Sequence, residues 1–264
     1  MEVAALEPYH PLLDPVVLTA LQEVVSAHLG RAWRCEVFSE LDDLASHPCG
    51  VLRGQDVGVF AKLSTESAGP AMFGAELQGM ALLHRVAGVP TPAAVGTGVV
   101  QVPSGVVILV EGLQGRHRGD RSPEDWRSIG ATLAALHAVQ GERFGLEAFD
   151  GFFGPLPQDN RSTSTGTWAE FYAERRLRPR LRDAADAGHL TADLASQIEA
   201  LLGRLVSLCG PEPAPSLLHG DAQQNNFVST DAGAVIVDSA PYFGHPEVDL
   251  ALVARLAAAL DTYR

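Results

Sequence analysis

Apolar residues recur along this chain at two periods, and each period predicts a different kind of element. Spacing near the helical repeat predicts helices over residues 14–29, 73–86, 123–139, 168–187 and 190–208. Short β-rich runs predict strands over residues 33–41, 94–101 and 105–110, and a pair of strands over 51–63 that is broken at Gly54-Gln55-Asp56. Residues 44–50 are predicted to form a turn, and residues 150–166 a polar loop.

The predicted strands crowd the first part of the chain, and the predicted helices fill most of the second part. We therefore predict an α+β fold with two lobes: a small β-rich N-lobe at residues 1–111 and a mainly helical C-lobe at residues 112–264. A length of 264 residues is sufficient to bury a sizeable core in such a molecule.

Residues 217–238 carry the most specific pattern. A His-Gly-Asp sequence ends at Asp221 and is followed five residues later by Asn226, which is the spacing of Asp and Asn in the kinase catalytic loop. Two β-rich runs joined by a turn at Gly233 then predict a hairpin that ends at Asp238, where protein kinases carry the Asp of their DFG motif. The pattern predicts Asp221 as the base that accepts the proton of an attacking hydroxyl, and Asn226 and Asp238 as oxygen ligands of Mg²⁺.

Lys62 is the only lysine among the 19 Lys and Arg residues of the chain, and it lies at the end of a predicted strand. A slender ammonium reaches nucleotide phosphates in a way that a planar guanidinium does not reproduce, so Lys62 is predicted to contact the α and β phosphates of ATP. Glu76, on the helix predicted at 73–86, is the candidate for the glutamate that orients Lys62, and Glu66 is the alternative. The segment that contains Glu111 and Leu113 is predicted to be the hinge between the lobes, where backbone groups pair with the edge of adenine.

Composition excludes several classes of protein. A net charge of -13 without a basic tract argues against binding to nucleic acid, and it suits a cationic small molecule. The three cysteines are widely spaced and form no CxxC pair, which predicts neither a disulfide framework nor a zinc site. Neither a signal peptide nor an apolar span long enough for a membrane helix is evident, so we expect a cytoplasmic protein without membrane contact.

Three further segments resemble those of one family, the fructosamine (ketosamine) kinases within the aminoglycoside phosphotransferase and protein-kinase-like group. They are YFGHPEVDLA at residues 242–251, PQDN at 157–160, and WAEFY at 168–172 followed by Arg176. The resemblance covers most of the chain from about Val59 onward. It implies a bilobal protein-kinase-like fold and ATP- and Mg²⁺-dependent phosphorylation of a sugar hydroxyl on a ketosamine. It also implies that Trp168 and Gln223 lie on the substrate side.

The chain departs from the family pattern at two functional positions. Residues 46–50, SHPCG, stand where the family has a glycine-rich nucleotide loop, and Gln223 stands where it usually has a Trp that forms a substrate wall. Two alternatives therefore stay open. One is a kinase of the same fold that acts on an aminoglycoside, an amino alcohol or another sugar. The other is a pseudokinase-like binding module without turnover, against which the joint presence of Lys62, Asp221, Asn226 and Asp238 speaks.

Overall fold

The computed structural model describes residues 10–44, 46–116 and 120–253, so the outer ends of both predicted lobes lie outside the described residues. A five-stranded antiparallel sheet forms the first part, in the order β1-β2-β3-β5-β4. Its strands are β1 (Val37–Glu40), β2 (Cys49–Gly54), β3 (Val57–Ser64), β4 (Ala94–Val102) and β5 (Gly105–Glu111). The predicted strand pair is β2 and β3, which pair from Cys49 opposite Lys62 to Gly54 opposite Val57.

Each face of this sheet is covered by one helix, because side chains on a strand alternate between its faces. Val107 and Leu109 of β5 belong to the core formed with α1 (Pro15–Leu29). Val106, Ile108 and Val110 belong to the core formed with α2 (Gly69–Ala87). Alternate side chains of β5 thus pack against different helices, one set against α1 and the other against α2.

Helices prevail after β5, together with three short two-stranded pairs. The helices are α3 (Pro123–His137), α4 (Trp168–Tyr172), α5 (Arg178–Asp186), α6 (Ala192–Leu202), α7 (Leu205–Leu208) and α8 (Glu247–Val253). The paired strands are β6 (Gly151–Phe153) with β7 (Leu156–Gln158), β8 (Ser216–Leu217) with β11 (Phe243–Gly244), and β9 (Phe227–Thr230) with β10 (Gly233–Ile236). Apolar residues of α3 pack against the β9–β10 hairpin to form the core beneath it.

Several predicted boundaries were wrong. The strand predicted at 33–41 is only β1, and the turn predicted at 44–50 already contains the start of β2. The loop predicted at 150–166 contains the β6–β7 hairpin, whose three-residue strands are too short to show a period. The helix predicted at 168–187 includes a π-helical segment, Ala173–Leu177, before Pro179, because a proline inside a helix lacks the N–H of a regular turn.

Candidate active site

A buried carboxylate fixes the loop that carries Asp221. Asp249, at the start of α8, accepts hydrogen bonds from the backbone N–H groups of His219 at 2.7 Å and Gly220 at 3.1 Å. Its third contact is the His137 ring, with Nε2 at 3.0 Å from Oδ2. Gly220 has φ 83°, and a Cβ there would lie 1.9 Å from the carbonyl oxygen of Ala240. Only glycine therefore fits this turn, which brings the next residue to the cleft.

Asp221 is held by side chains on both of its carboxylate oxygens. The amide of Gln223 donates to Oδ1 at 2.8 Å, and the amide of Asn226 donates to Oδ2 at 3.0 Å. Burial raises the pKa of the Asp221 carboxyl above its usual value, while the hydrogen bond from Gln223 lowers it. A carboxylate that is oriented and has a raised pKa is suited to accept a proton from a hydroxyl.

The β9–β10 hairpin brings Asn226 and Asp238 to the same side of the cleft. The backbone N–H of Val237 donates to the carbonyl of Asn226 at 3.0 Å, so the two ends of the hairpin are joined. Asp238 follows the hairpin with φ 53°, a left-handed conformation that Asp tolerates better than most residues. Because the Asn226 amide nitrogen is bound to Asp221, its side-chain oxygen is left for the cleft.

Lys62 lies between two carboxylates. Its Nζ is 2.7 Å from Oε2 of Glu76 and 3.2 Å from Oδ1 of Asp238, and the residue is only 6% exposed. Glu66, the alternative partner, lies before the start of α2 with a half-exposed side chain, and its ion-pair contact is with His47. The structure therefore pairs Lys62 with Glu76.

The charges of this group depend on each other. Burial alone would lower the pKa of Lys62, but the carboxylates of Glu76 and Asp238 outweigh burial and raise it. Burial raises the pKa of Glu76, and the adjacent Lys62 ammonium opposes that shift. Lys62 is therefore held as an ammonium between Glu76 of α2 and Asp238, which follows the β9–β10 hairpin.

Two cavities meet at this cation. The first has a volume of about 820 Å³ and lies between the sheet and the β9–β10 hairpin, with Val51, Val110 and Leu113 among its lining residues. The second, about 630 Å³, is lined by Asp221, Gln223 and the β6–β7 hairpin. Both are lined by the same five residues, Lys62, Glu76, Asn225, Asn226 and Asp238. Groups bound in the two cavities would meet at these side chains.

The segment after β5 borders the first cavity. The backbone N–H groups of Glu111 and Gly112 donate to Ala93 and Gly58, at 2.8 and 2.9 Å. Glu111 and Leu113 both line the cavity. Among the described residues, none accepts a hydrogen bond from the N–H of Leu113. This edge therefore offers a backbone donor beside apolar walls, and its role as a hinge stays a prediction.

Trp168 is the one predicted site residue that the structure keeps apart from the others. It is 4% exposed, with its ring 5.4 Å from that of Phe144 and 4.9 Å from that of Tyr172. The cap at Thr167 starts α4 so that this side chain enters the core of the second part. Trp168 lines neither cavity, whereas Gln223 lies in the second one.

Sequence reasoning assigned no role to Asp249 or to the β6–β7 hairpin. Asp249 stood within the segment 242–251, where its place in a motif was the only signal. Phe152 and Phe153 of the hairpin line the second cavity, and the signal available was two adjacent aromatic residues after Gly151 in a segment otherwise polar. Both features depend on contacts between distant parts of the chain.

A model of the fructosamine kinase family matches residues 17–261. This chain belongs to the fructosamine kinase family. A probable ketoamine kinase from Synechocystis is 37% identical over 139 residues, which are 51% of this chain and 44% of that protein. The crystal structure of a putative fructosamine-3-kinase from Thermobifida fusca is 31% identical, with a TM-score of 0.74, and the match covers 92% of this chain and 83% of that one.

The fold of this fructosamine kinase family member is shared more widely. Aminoglycoside phosphotransferase APH(4)-Ia, in a crystal structure with ADP and hygromycin B, is 16% identical with a TM-score of 0.58, over 92% of this chain and 80% of that one. The prediction of an α+β protein-kinase-like fold is confirmed. The boundary between lobes at residue 111 stays a prediction, and β5 ends at that residue.

The family segments meet around one buried arginine. Arg176 donates to Oδ1 of Asn160 at 2.6 Å, and its guanidinium lies over the rings of Phe171 and Tyr242, at 4.9 and 4.1 Å from their centroids. The three motifs that carry the resemblance thus form one structural unit beside the catalytic loop. Trp168 joins this unit through its ring, whose centroid lies 6.0 Å from that of Phe171.

The donor set fits Mg²⁺. Asn226 and Asp238 offer hard oxygen ligands, and no group of three or more His, Cys, Asp or Glu side chains among the described residues could hold a metal alone. A cation held here would complete its coordination shell with phosphate oxygens and water, as Mg²⁺ usually does at nucleotide sites.

No helix in the described part of the chain has the length and apolar character needed to cross a membrane.

Proposed function

We propose that this protein transfers the terminal phosphoryl group of ATP to a sugar hydroxyl of a ketosamine. The observation that carries the proposal is the meeting of two cavities at Lys62, Asn226 and Asp238, with Asp221 on the wall of the second. Family membership supports kinase chemistry, and the Synechocystis relative bears the name of a ketoamine kinase.

The first cavity is proposed to hold ATP. Adenine would lie between apolar side chains such as Val51 and Val110, with an edge at the N–H of Leu113. The phosphates would then extend toward Lys62, whose ammonium Glu76 holds in place. Asn226 and Asp238 would hold Mg²⁺. This cation would neutralise charge on the phosphate oxygens.

The second cavity is proposed to hold the acceptor. Its hydroxyl would give its proton to Asp221 while the hydroxyl oxygen bonds to the terminal phosphorus and the bond to ADP breaks. Gln223 and Asn226 keep the carboxylate oriented through their amide hydrogen bonds. Because the transition state of phosphoryl transfer is loose, this positioning and the charge of Lys62 account for most of the catalysis.

The walls of the second cavity suit a ketosamine with an apolar substituent on its amine. Asp43 and Asp221 give the cavity acidic side chains that attract a secondary ammonium. Phe152, Phe153 and Leu156 of the β6–β7 hairpin supply apolar surface at a site where residue 223 is not aromatic. We propose that the hairpin takes over part of the role of the missing Trp.

The alternative acceptors and the binding module are less well supported. A binding module has no need of an oriented base in addition to a paired lysine, and Asp221 and Lys62 are held by two hydrogen bonds each. A reducing, cytoplasmic setting is part of the proposal, and Cys35, Cys49 and Cys209 are free thiols.

The test is a panel of acceptors assayed with Mg·ATP, with the product identified by mass spectrometry. Fructosyl and ribulosyl amines are expected to gain one phosphate each, at higher kcat/KM than an aminoglycoside, an amino alcohol or a free sugar. In Asp221→Asn, turnover should fall about 10²- to 10⁴-fold, the usual contribution of a positioned base, while ADP binds as it does to the parent.

Asp186→Asn is the matched control, since Asp186 is exposed at the end of α5 and lines neither cavity. Phosphorylation of aminoglycosides or amino alcohols alone would replace the proposed substrate by the first alternative. Binding of ATP without transfer to any acceptor would favour the binding module, and unchanged turnover in Asp221→Asn would remove this residue from the mechanism.

A further inference from the structure

The loop between β1 and β2 places an imidazole in the acceptor cavity. His47 lines this cavity together with Lys62, Asp221 and Asp238, and its side chain is 11% exposed. Its Nδ1 lies 3.0 Å from Oγ of Ser46. Its Nε2 is buried and has no hydrogen-bond partner among the residues that the structure describes. The Oε1 atom of Glu66, at 3.9 Å, is too distant for a hydrogen bond.

The position of the loop is fixed relative to Lys62. The backbone N–H of Leu63 donates to the carbonyl of Pro48 at 2.9 Å, so the loop is joined to β3 directly beside Lys62. The Phe73 ring lies beside both side chains: its centroid is 5.4 Å from Nζ of Lys62 and 6.1 Å from the centroid of the His47 ring. His47 and Lys62 therefore both lie beside the Phe73 ring in the lining of the second cavity.

Pro48 and Gly50 leave this loop little bare backbone with which to cradle phosphates. Pro48 has no N–H, and Gly50 already lies within β2, where a Cβ would come within 2.5 Å of the Phe38 ring. The glycine at position 50 is thus required by packing. What the loop contributes to the second cavity is side chains, His47 among them.

We propose that Nε2–H of His47 donates a hydrogen bond to the terminal phosphoryl group of ATP as it is transferred. The inference rests on the proposed function, because it needs ATP in the first cavity. A hydroxyl proton from Ser46 on Nδ1 leaves the ring proton on Nε2, the atom without a partner. Burial, and then the charge of Lys62, lower the pKa of His47, which agrees with a neutral ring before ATP binds.

The test compares two nucleotides that differ in the terminal phosphate. In His47→Leu, affinity for a non-hydrolysable ATP analogue with Mg²⁺ and kcat should each fall about 10- to 100-fold, the value of a hydrogen bond to a charged group. Affinity for ADP should stay as in the parent. His47→Gln, whose amide nitrogen can occupy the place of Nε2, should recover most of both quantities.

Two more variants guard the result. In His47→Asn the amide nitrogen lies nearer to the place of Nδ1, so this variant should behave like His47→Leu. The comparison with His47→Gln then shows that the position of the donor matters, and not only the presence of a polar group. His189→Leu is the control, since that exposed histidine lines neither cavity. Equal losses of affinity for ADP and the analogue would mean that His47 only supports the loop. Unchanged binding and kcat would mean that His47 does not contact the terminal phosphoryl group. Either result overturns the inference. A parent that binds neither nucleotide would instead overturn the proposed function.

Discussion

The carboxylate of Asp249 accepts the backbone N–H of His219 at 2.7 Å, so a residue of α8 fixes the start of the catalytic loop from thirty positions away. Asp249 is fully buried, and its other partners are the N–H of Gly220 and the ring of His137. The position of Asp221, the proposed base, thus depends on a carboxylate that lines neither cavity.

Asp249→Asn should therefore lower both stability and turnover. The amide presents a donor where the carboxylate accepted, and each buried donor left unpaired costs about 1–3 kcal/mol of unfolding free energy. Denaturant unfolding and kcat measure the two effects, with the exposed Asp186→Asn as control. A variant as stable and as active as the parent would show that the catalytic loop is fixed by other contacts.

Glu76→Gln should reduce turnover by weakening the hold on Lys62. The ammonium would lose its charged partner at 2.7 Å and keep only Asp238, which is also a proposed ligand of Mg²⁺. Glu66→Gln is a matched control, because Glu66 was the alternative and its carboxylate contacts His47 rather than Lys62. We expect kcat to fall about tenfold or more in Glu76→Gln, as for loss of a hydrogen bond between charged groups, and much less in Glu66→Gln. The reverse order would reassign the partner of Lys62.

The substitution Lys62→Arg tests the same site by changing the size and shape of the cationic group. It keeps the charge, yet the planar fork does not fit the space between Glu76 and Asp238 as the ammonium does. We expect a higher KM for ATP and a lower kcat, measured by steady-state kinetics, with the exposed Arg127→Lys as control. Parent-like values would make Lys62 a cation without a role in phosphate binding.

The β9–β10 hairpin could be predicted because its contacts are local, whereas the contact of Asp249 with the loop before it could not. Asp221, Asn226 and Asp238 lie within one short stretch, where spacing and turn residues determine geometry. The choice between Glu66 and Glu76 could not be made, since it depends on where α2 begins and how it packs on the sheet. The sequence alone does not show which of these two glutamates faces Lys62 on β3.

Burial was the other property that sequence left open. Trp168 belongs to a family motif, and nothing in its neighbours distinguishes a substrate wall from a core residue; its contacts with Phe144 and Tyr172 decide the matter. The same holds for the β6–β7 hairpin, which gains its place through packing of Phe152 against the core of α2. A three-residue strand has no pattern that predicts such a contact.

Asp125 should make stability depend on pH in the acid range. Arg116 donates to both oxygens of this carboxylate, and this contact, together with Ser122, lowers the pKa of Asp125 to about 2 from an ordinary 3.8. A depressed pKa in the folded state contributes stability above about pH 4, and that contribution is lost as pH falls toward 2. Arg116 also forms an ion pair with Asp231 in the turn of the β9–β10 hairpin.

Asp125→Asn should accordingly be less stable than the parent at neutral pH, by about 1–3 kcal/mol. The difference in unfolding free energy should shrink between about pH 4 and pH 2, because the parent's carboxylate becomes protonated there. Glu124→Gln, at an exposed position in the same helical turn, provides the control. A difference that stays constant across this range would mean that the charge of Asp125 contributes nothing.

Gln223→Trp tests the proposed acceptor cavity at a position where the sequence departs from the family pattern. The amide of Gln223 donates to Asp221 at 2.8 Å and lies on the cavity wall, so its replacement changes two things at once. Loss of the donor should lower kcat for every acceptor. The added ring should favour an acceptor that can pack against it, so the ratio of kcat/KM for a fructosyl amine to that for a simple amino sugar should rise.

Gln223→Leu separates these effects, since it removes the donor without adding an aromatic ring. It should lower the rates for both acceptors by a similar factor and leave the ratio near that of the parent, because a common loss at Asp221 cancels. If Trp and Leu give the same ratio, residue 223 does not contact the acceptor, and the β6–β7 hairpin alone supplies the apolar wall. If the ratio falls in Gln223→Trp, the ring obstructs the ketosamine, which would mean that this chain binds its acceptor in a different orientation from relatives that carry Trp.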